Sequence, residues 1–139
     1  MELITDRTQA DVLSHTAKGF YNHTDLNRVE SAVATLCDLA RQLDIHLALT
    51  TKTDWAVPGP YSPDTWPTAA QMKRYLGNVR ALCQALSLAV SLPDSMAWLT
   101  WEKANDIEAA LFCAKKRIQG VLQTYQYSGE LIAGEENTL

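Results

Sequence analysis

The residues of this chain with the types to do chemistry are its three histidines, its three cysteines and, among the glutamates of the predicted helices, Glu30 and Glu108. His15, His23 and His46 are scattered, and none shares a helical face with Asp, Glu or Cys at metal-ligand spacing. His46 falls on the polar side of an alternating stretch, which reads as a surface position. Glu30 and Glu108 invite comparison with carboxylate-bridged metal proteins, where such residues face one another across a helical bundle. Those sites also draw on Glu-x-x-His pairs, and the helices here carry none. The sequence contains no H-E-x-x-H, G-x-S-x-G, P-loop or G-x-G-x-x-G pattern. Cys37, Cys83 and Cys113 are odd in number, far apart and without C-x-x-C spacing, a poor framework for disulfides or zinc. Each falls in the apolar stretch of a different predicted helix, so all three are expected to be reduced, buried and unreactive. The expectation is a chain with no catalytic residues, no metal and no cofactor.

Contact chemistry is better represented. Trp55, Tyr61, Trp66, Trp98 and Trp101 all lie outside the predicted helix interiors, in a long loop or beside the connection over residues 92–100. Large aromatic side chains on a proline-stiffened loop gain contact area at small entropic cost. These five are the candidate interaction residues, with a roof over the open end of a bundle as the alternative role, favoured for Trp66 and Trp98. Asn27, Asn78 and Asn105 each sit beside the apolar stripe of a different helix. They are placed either to bond a loop carbonyl from within or to face solvent near a helix start.

The elements that must position these residues follow from periodicity. Leu26, Val29, Val33, Leu36, Ala40 and Leu43 recur at alternating intervals of three and four. Met72, Tyr75, Val79, Leu82, Leu86 and Ala89 repeat the pattern, and so do Ala104, Ile107, Leu111, Ala114, Ile118, Val121 and Tyr125. This spacing lines one face of an α-helix. The predicted helices cover about 25–43, 68–91 and 101–125, with 1–23 and 128–139 irregular. Thr24, Thr68 and Thr100 are the expected N-caps, Thr68 with Gln71 at capping-box spacing. Leu92-Pro93 is the expected stop of the second helix. The polar faces are assigned Arg28, Glu30 and Arg41, then Lys73, Arg74 and Arg80, then Asp106, Lys115 and Lys116. Lys115, Lys116 and Arg117 are expected late in their helix, offsetting its dipole.

Between the first two helices, Ile45, Leu47 and Leu49 alternate with His46, Ala48 and Thr50, the period of a strand. Its partner is sought at 2–5 or 127–133, giving one short two-stranded β element. Residues 55–66 then hold four prolines and glycines, a texture that forbids helix. The first and third helices also share a local pattern: Leu26-Asn27-Arg28-Val29-Glu30 aligns with Ala104-Asn105-Asp106-Ile107-Glu108. A duplicated helix or two solutions to one capping problem both account for it. The fold class expected is mainly α: a three-helix bundle in one domain over 1–139, with a long aromatic and proline-rich loop.

Composition sets the outer limits. With 47% apolar and 20% charged residues the chain is globular, and at 139 residues it can bury a core without metal or disulfide. A net charge of −4 without a basic face excludes a phosphate-tracking nucleic-acid binder. No apolar run approaches the ~20 residues that span a bilayer, and the first residues lack a signal-peptide pattern.

Several blocks, taken together, carry a family resemblance. Thr24-Asp25-Leu26-Asn27-Arg28-Val29-Glu30, Thr51-Lys52-Thr53-Asp54-Trp55 and Pro67-Thr68-Ala69-Ala70-Gln71-Met72 are three of them. Leu99-Thr100-Trp101-Glu102 with Ala104-Asn105-Asp106-Ile107-Glu108, and Tyr127-Ser128-Gly129-Glu130-Leu131, complete the set. The order resembles small helical proteins of the tail modules of siphophages and prophages of Gram-positive bacteria, over most of the chain from about Asp6 to Glu135. The resemblance implies a non-enzymatic tail component or assembly accessory, located in the virion or in the host cytoplasm during assembly. Its partners would be other tail proteins or further copies of itself, with neither nucleic acid nor membrane involved. A small cytoplasmic regulatory or adaptor bundle is the alternative that the residues leave open.

Overall fold

The computed structural model of the chain describes residues 2–57 and 66–138, with the helical backbone alone for 125–138. Its helices are α1 (Gln9–Leu13), α2 (His23–Arg41), α3 (Ala69–Ala85) and α4 (Trp101–Thr138), with a 3-10 turn over Ala17–Gly19. The mainly helical bundle expected from the three apolar stripes is present.

The three long helices start alike. Asn22 caps α2, accepting from Thr24 N at 2.9 Å while Asp25 accepts from Asn22 N at 2.8 Å, so the cap lies two residues before the expected Thr24. Thr68 and Gln71 close the capping box of α3 as expected. Thr100 Oγ1 accepts from Lys103 N at 3.2 Å at the head of α4. Counted from these caps, Val29, Tyr75 and Ile107 are equivalent, as are Val33, Val79 and Leu111. Leu36, Leu82 and Ala114 follow, then Ala40, Leu86 and Ile118, and every one of these is buried. Ion pairs join early turns to early turns, Arg28 with Glu108 and Arg74 with Glu30. Near the other end Arg117 Nη1 donates to Leu86 O at 3.1 Å. The three helices therefore run parallel. Antiparallel neighbours can be joined by short loops, whereas parallel ones need long return connections, which is why so much of the chain is non-helical. Leu111 is fully buried at the centre of this core, so Leu111→Ala should cost about 2–5 kcal/mol in a denaturant melt.

Helix ends depart from expectation for identifiable reasons. α3 stops at Ala85 rather than near 91, because Ser87 takes a left-handed φ of 55° and Leu88 N returns to Cys83 O at 2.9 Å. α2 ends the same way, with Asp44 at φ 61° and Ile45 N bonded to Ala40 O at 3.1 Å. This reversal satisfies orphan carbonyls before Pro93 has any influence, and Ala89 is left exposed outside the helix. Residues 128–138, expected to be irregular, continue α4: Ser128 and Gly129 weaken a helix by under about 1 kcal/mol each, and no proline follows. Lys115, Lys116 and Arg117 therefore stand mid-helix rather than at a C-terminus. The N-terminal stretch, also expected to be irregular, holds α1 because Thr8 and Asp11 form a capping box. Gly19 lies so close under α1 that a Cβ there would meet Asp11 O at 2.4 Å.

No strand is present among the described residues. Residues 45–50 keep the alternating burial of a strand, with Ile45, Leu47 and Leu49 packed on the core and His46, Ala48 and Thr50 exposed. Their partner is a row of helix side chains instead of a second strand. Thr50 O accepts from Arg74 Nη1 at 2.7 Å and from Asn78 Nδ2 at 2.8 Å.

Candidate functional site

Two extended segments are fastened to the bundle by the same device. Asn27 of α2 clamps one residue of the first: its Nδ2 donates to Trp55 O at 2.8 Å and its Oδ1 accepts from Trp55 N at 2.7 Å. One helical turn on, Glu30 Oε1 accepts from Lys52 N at 3.1 Å. In α4 the equivalent residues do the same to the N-terminal segment. Asn105 donates to Arg7 O at 2.9 Å and accepts from Arg7 N at 3.0 Å, and Glu108 Oε1 accepts from Ile4 N at 3.0 Å. An amide side chain is the one neutral group that offers a donor and an acceptor side by side, so it replaces a strand neighbour at a single residue.

Each glutamate is then neutralised by an arginine of the neighbouring helix. Arg74 donates to Glu30 Oε1 at 2.6 Å, and Arg28 Nε donates to Glu108 Oε1 at 2.7 Å. Arg74 and Arg28 are equivalent positions counted from their caps. Glu108 also accepts from buried Arg7 at 2.5 Å, and Asp25 accepts from both arginines, so two cations balance two anions, with Arg28 alone of the four half-buried. Burial opposes the charge on Arg28, but hydrogen bonds to Glu108 and Asp25 outweigh it and raise its pKa further. Arg7 Nε has no hydrogen-bond partner among the described residues, and the guanidinium lies 5.5 Å from the Tyr21 ring centroid, a cation–π contact. The Tyr21 hydroxyl meets that of Tyr75, and burial raises the pKa of both phenols.

The equivalent positions of α3 break the pattern, although the return segment 88–99 also packs on the core. It does so through Leu88, Val90, Leu92, Met96 and Leu99, and its Pro93 O accepts from Arg80 Nη2 at 3.1 Å. Where α2 and α4 carry Asn and Glu, α3 carries Lys73 and Leu76, and where the other helices carry arginine, α4 carries Asp106. Lys73 and Leu76 line a cavity of about 1260 Å³, together with Leu26, Met72, Met96 and Leu99. Phe20, Val57 and Trp66 also line it and are themselves exposed.

The five aromatic candidates divide. Trp55 is only 5% exposed and belongs to the core, its Nε1 donating to Glu30 Oε2 at 2.5 Å, so it is part of the fold and not an open contact residue. Trp66 lines the cavity at 57% exposure and Trp98, held at φ 56°, is 92% exposed; neither roofs the bundle, the role favoured for them from sequence. Trp101 is half-buried in the first turn of α4, and Tyr61 lies outside the described residues. Glu30, placed on a polar face by its spacing, is 2% exposed. The three asparagines all hold backbone from within. The one local signal of the clamped segments is that Ile4-Thr5-Asp6-Arg7 and Lys52-Thr53-Asp54-Trp55 share Thr-Asp before the clamped residue.

The cysteines correct another expectation. Cys37 and Cys83 are buried, burial raising the pKa of the first and pushing the second up to about 11, but Cys113 is exposed. Thiolate is the reactive form, so Cys113 should take up an alkylating reagent at pH 8 while Cys37 and Cys83 label only on unfolding. Peptide mapping by mass spectrometry reads this directly, and fast modification of Cys83 in the native chain would contradict its placement. His46 is exposed beside Asp44. Among the described residues no group of three or more His, Cys, Asp or Glu side chains is placed to hold a metal ion. No described helix is long and apolar enough to cross a membrane.

Fold and site together define a parallel helical bundle with side-chain-clamped connections and an apolar cavity. No family model, curated protein or solved structure matches the chain.

Proposed function

We propose that this chain is a non-catalytic structural or interaction protein, a component of a bacteriophage tail or of its assembly, acting through contacts with other tail proteins or with copies of itself. The observation that carries the reading is where the chemistry-bearing residues go. Glu30, Glu108 and Arg74 fasten backbone, Arg7 and Arg28 are spent neutralising Glu108 and Asp25, and the cavity is mostly apolar with exposed aromatics at its edge. The blocks that carry the resemblance to tail-module proteins include the clamp residues Asn27, Glu30, Asn105 and Glu108 and the clamped 51–55 segment. A family sharing these residues shares a way of building a scaffold, which supports a structural role. The contact surface is the cavity edge at Trp66 and its surroundings, with Trp98 as an outlying element.

Mass spectrometry of purified virions, from a host whose prophage encodes the chain, tests the reading. A fixed copy number per virion is expected for a component, and presence only in immature tails for an assembly factor. Absence from both, with the chain confined to host cytoplasm, would give the adaptor reading instead.

A further inference from the structure

We propose that the end of the bundle at which α2, α3 and α4 begin is a docking surface for the C-terminal half of α4 of a second copy. Copies of the chain then stack head to tail. The inference rests on the interaction-protein reading above and names the chain as its own partner.

A large aromatic residue stands two positions before each of the three N-caps: Phe20 before Asn22, Trp66 before Thr68 and Trp98 before Thr100. All three rings are exposed, that of Trp98 almost wholly. The intervening residues Tyr21, Pro67 and Leu99 are half-buried, Tyr21 and Leu99 against the core. An apolar residue tucked in before a cap fixes the entry of the chain into its helix, and here its predecessor is left outside. Trp98 holds its place at a φ of 56°, which a bulky side chain rarely adopts, and gains no burial from it. Packing of the fold therefore does not account for that ring. Because the helices run parallel, all three rings come to one end of the molecule, where exposed Val57 lines the same cavity as Phe20 and Trp66. Clustered exposed apolar side chains of this kind mark a contact surface.

The opposite end supplies the occupant. α2 and α3 stop at Arg41 and Ala85, whereas α4 runs on to Thr138, about 19 residues past the level of Arg41 and roughly 28 Å in length. Among the described residues Leu122 is the last of α4 that packs on the core. A lone helix of that length is marginal in water and draws its stability from packing against a partner. The apolar period of Ile118 and Val121 continues in the sequence at Tyr125 and Ile132. After Arg117 the sequence holds Glu130, Glu135 and Glu136 and neither lysine nor arginine. At the head, exposed Lys73 and Lys103 offset Asp94 and Glu102, and three helix N-termini tip the balance positive. The two ends thus carry apolar groups with opposite charge and face in opposite directions, which makes the contact heterologous and the stack open-ended.

Sedimentation velocity of the full chain over a range of concentrations tests this with two variants. A head variant carries Trp66→Ser and Trp98→Gly. Both rings are exposed and glycine suits a φ of 56°, so its melting curve should not fall. A tail variant carries Glu130→Lys, Ile132→Lys and Glu135→Lys, beyond the last described core contact of α4. The unaltered chain should form a ladder of oligomers that grows with concentration, and each variant alone should associate about ten-fold or more weakly. An equimolar mixture of the two should give a 1:1 complex at the affinity of the unaltered chain, since one variant keeps an intact tail and the other an intact head. An unaltered chain that stays monomeric to millimolar concentration, a closed dimer indifferent to both variants, or a mixture that does not associate would each overturn the proposal. Binding to phosphatidylglycerol vesicles that the head variant loses, without self-association, would give the aromatic end to a membrane surface and also overturn it. The two readings fail separately. Stacking by a chain absent from virions refutes the tail assignment alone, whereas a virion component that never self-associates refutes the stacking alone.

Discussion

Glu108→Ala is expected to lower stability by about 3–5 kcal/mol, the loss that follows when one partner of a buried ion pair is removed. The carboxylate is completely buried and accepts from Ile4 N, Arg7 and Arg28 at once. Removing it leaves Arg7, whose side chain is 1% exposed, beside Arg28 with Asp25 as their only shared anion. A buried cation without its partner cannot recover hydration, so the loss exceeds anything the intact ion pair adds over an apolar substitute. Against the ~5–15 kcal/mol of an ordinary domain this is a large fraction. The melting temperature followed by circular dichroism should fall by roughly 10–20 °C. Glu30→Ala is the internal comparison. Its ion-pair partner Arg74 keeps 24% of its side chain in solvent and can turn outward, so the loss there should be smaller. If the two variants melted together, burial of the partner would not be the deciding quantity.

Trp55→Ala should destabilise the chain by about 3–5 kcal/mol, as for other buried large aromatics. Two effects are combined in that figure: the cavity left by the ring, and the loss of the indole donor to Glu30 Oε2. Trp55→Phe separates them. It keeps most of the ring and removes the N–H while Arg74 Nη2 still donates to Glu30 Oε2 at 3.1 Å, so it should cost about 1.5–3 kcal/mol, the net worth of one hydrogen bond to a charged group. Chemical denaturation of both variants gives the two numbers. A near-neutral Trp55→Ala would return this residue to the set of surface contacts expected from its place in a proline-rich loop. Trp98→Ala is the matching control, since at 92% exposure that ring has little to lose on folding.

Much of the bundle was written in the sequence. The three-and-four spacing of Val29, Val33 and Leu36, of Tyr75, Val79 and Leu82, and of Ile107, Leu111 and Ala114 fixes which face of each helix is buried, because helical period is a local property. The caps Thr68 and Thr100 were legible for the same reason, and so was the kinship of Asn27-x-x-Glu30 with Asn105-x-x-Glu108. What that kinship is for was not legible. Both pairs bond to backbone far away in sequence, Trp55 to Asn27 and Arg7 to Asn105, and no local rule links those positions. Burial of Glu30 was hidden likewise, since a glutamate reads as solvent-facing until Arg74 and the Trp55 indole are brought to it. The alternating stretch at 45–50 shows the division most plainly. Sequence set its inward and outward faces, because alternation is intrinsic to extended backbone. Tertiary structure alone decided that its carbonyl at Thr50 would be met by Arg74 and Asn78 instead of a second strand, because three parallel helices leave grooves whose side chains already supply the missing hydrogen bonds.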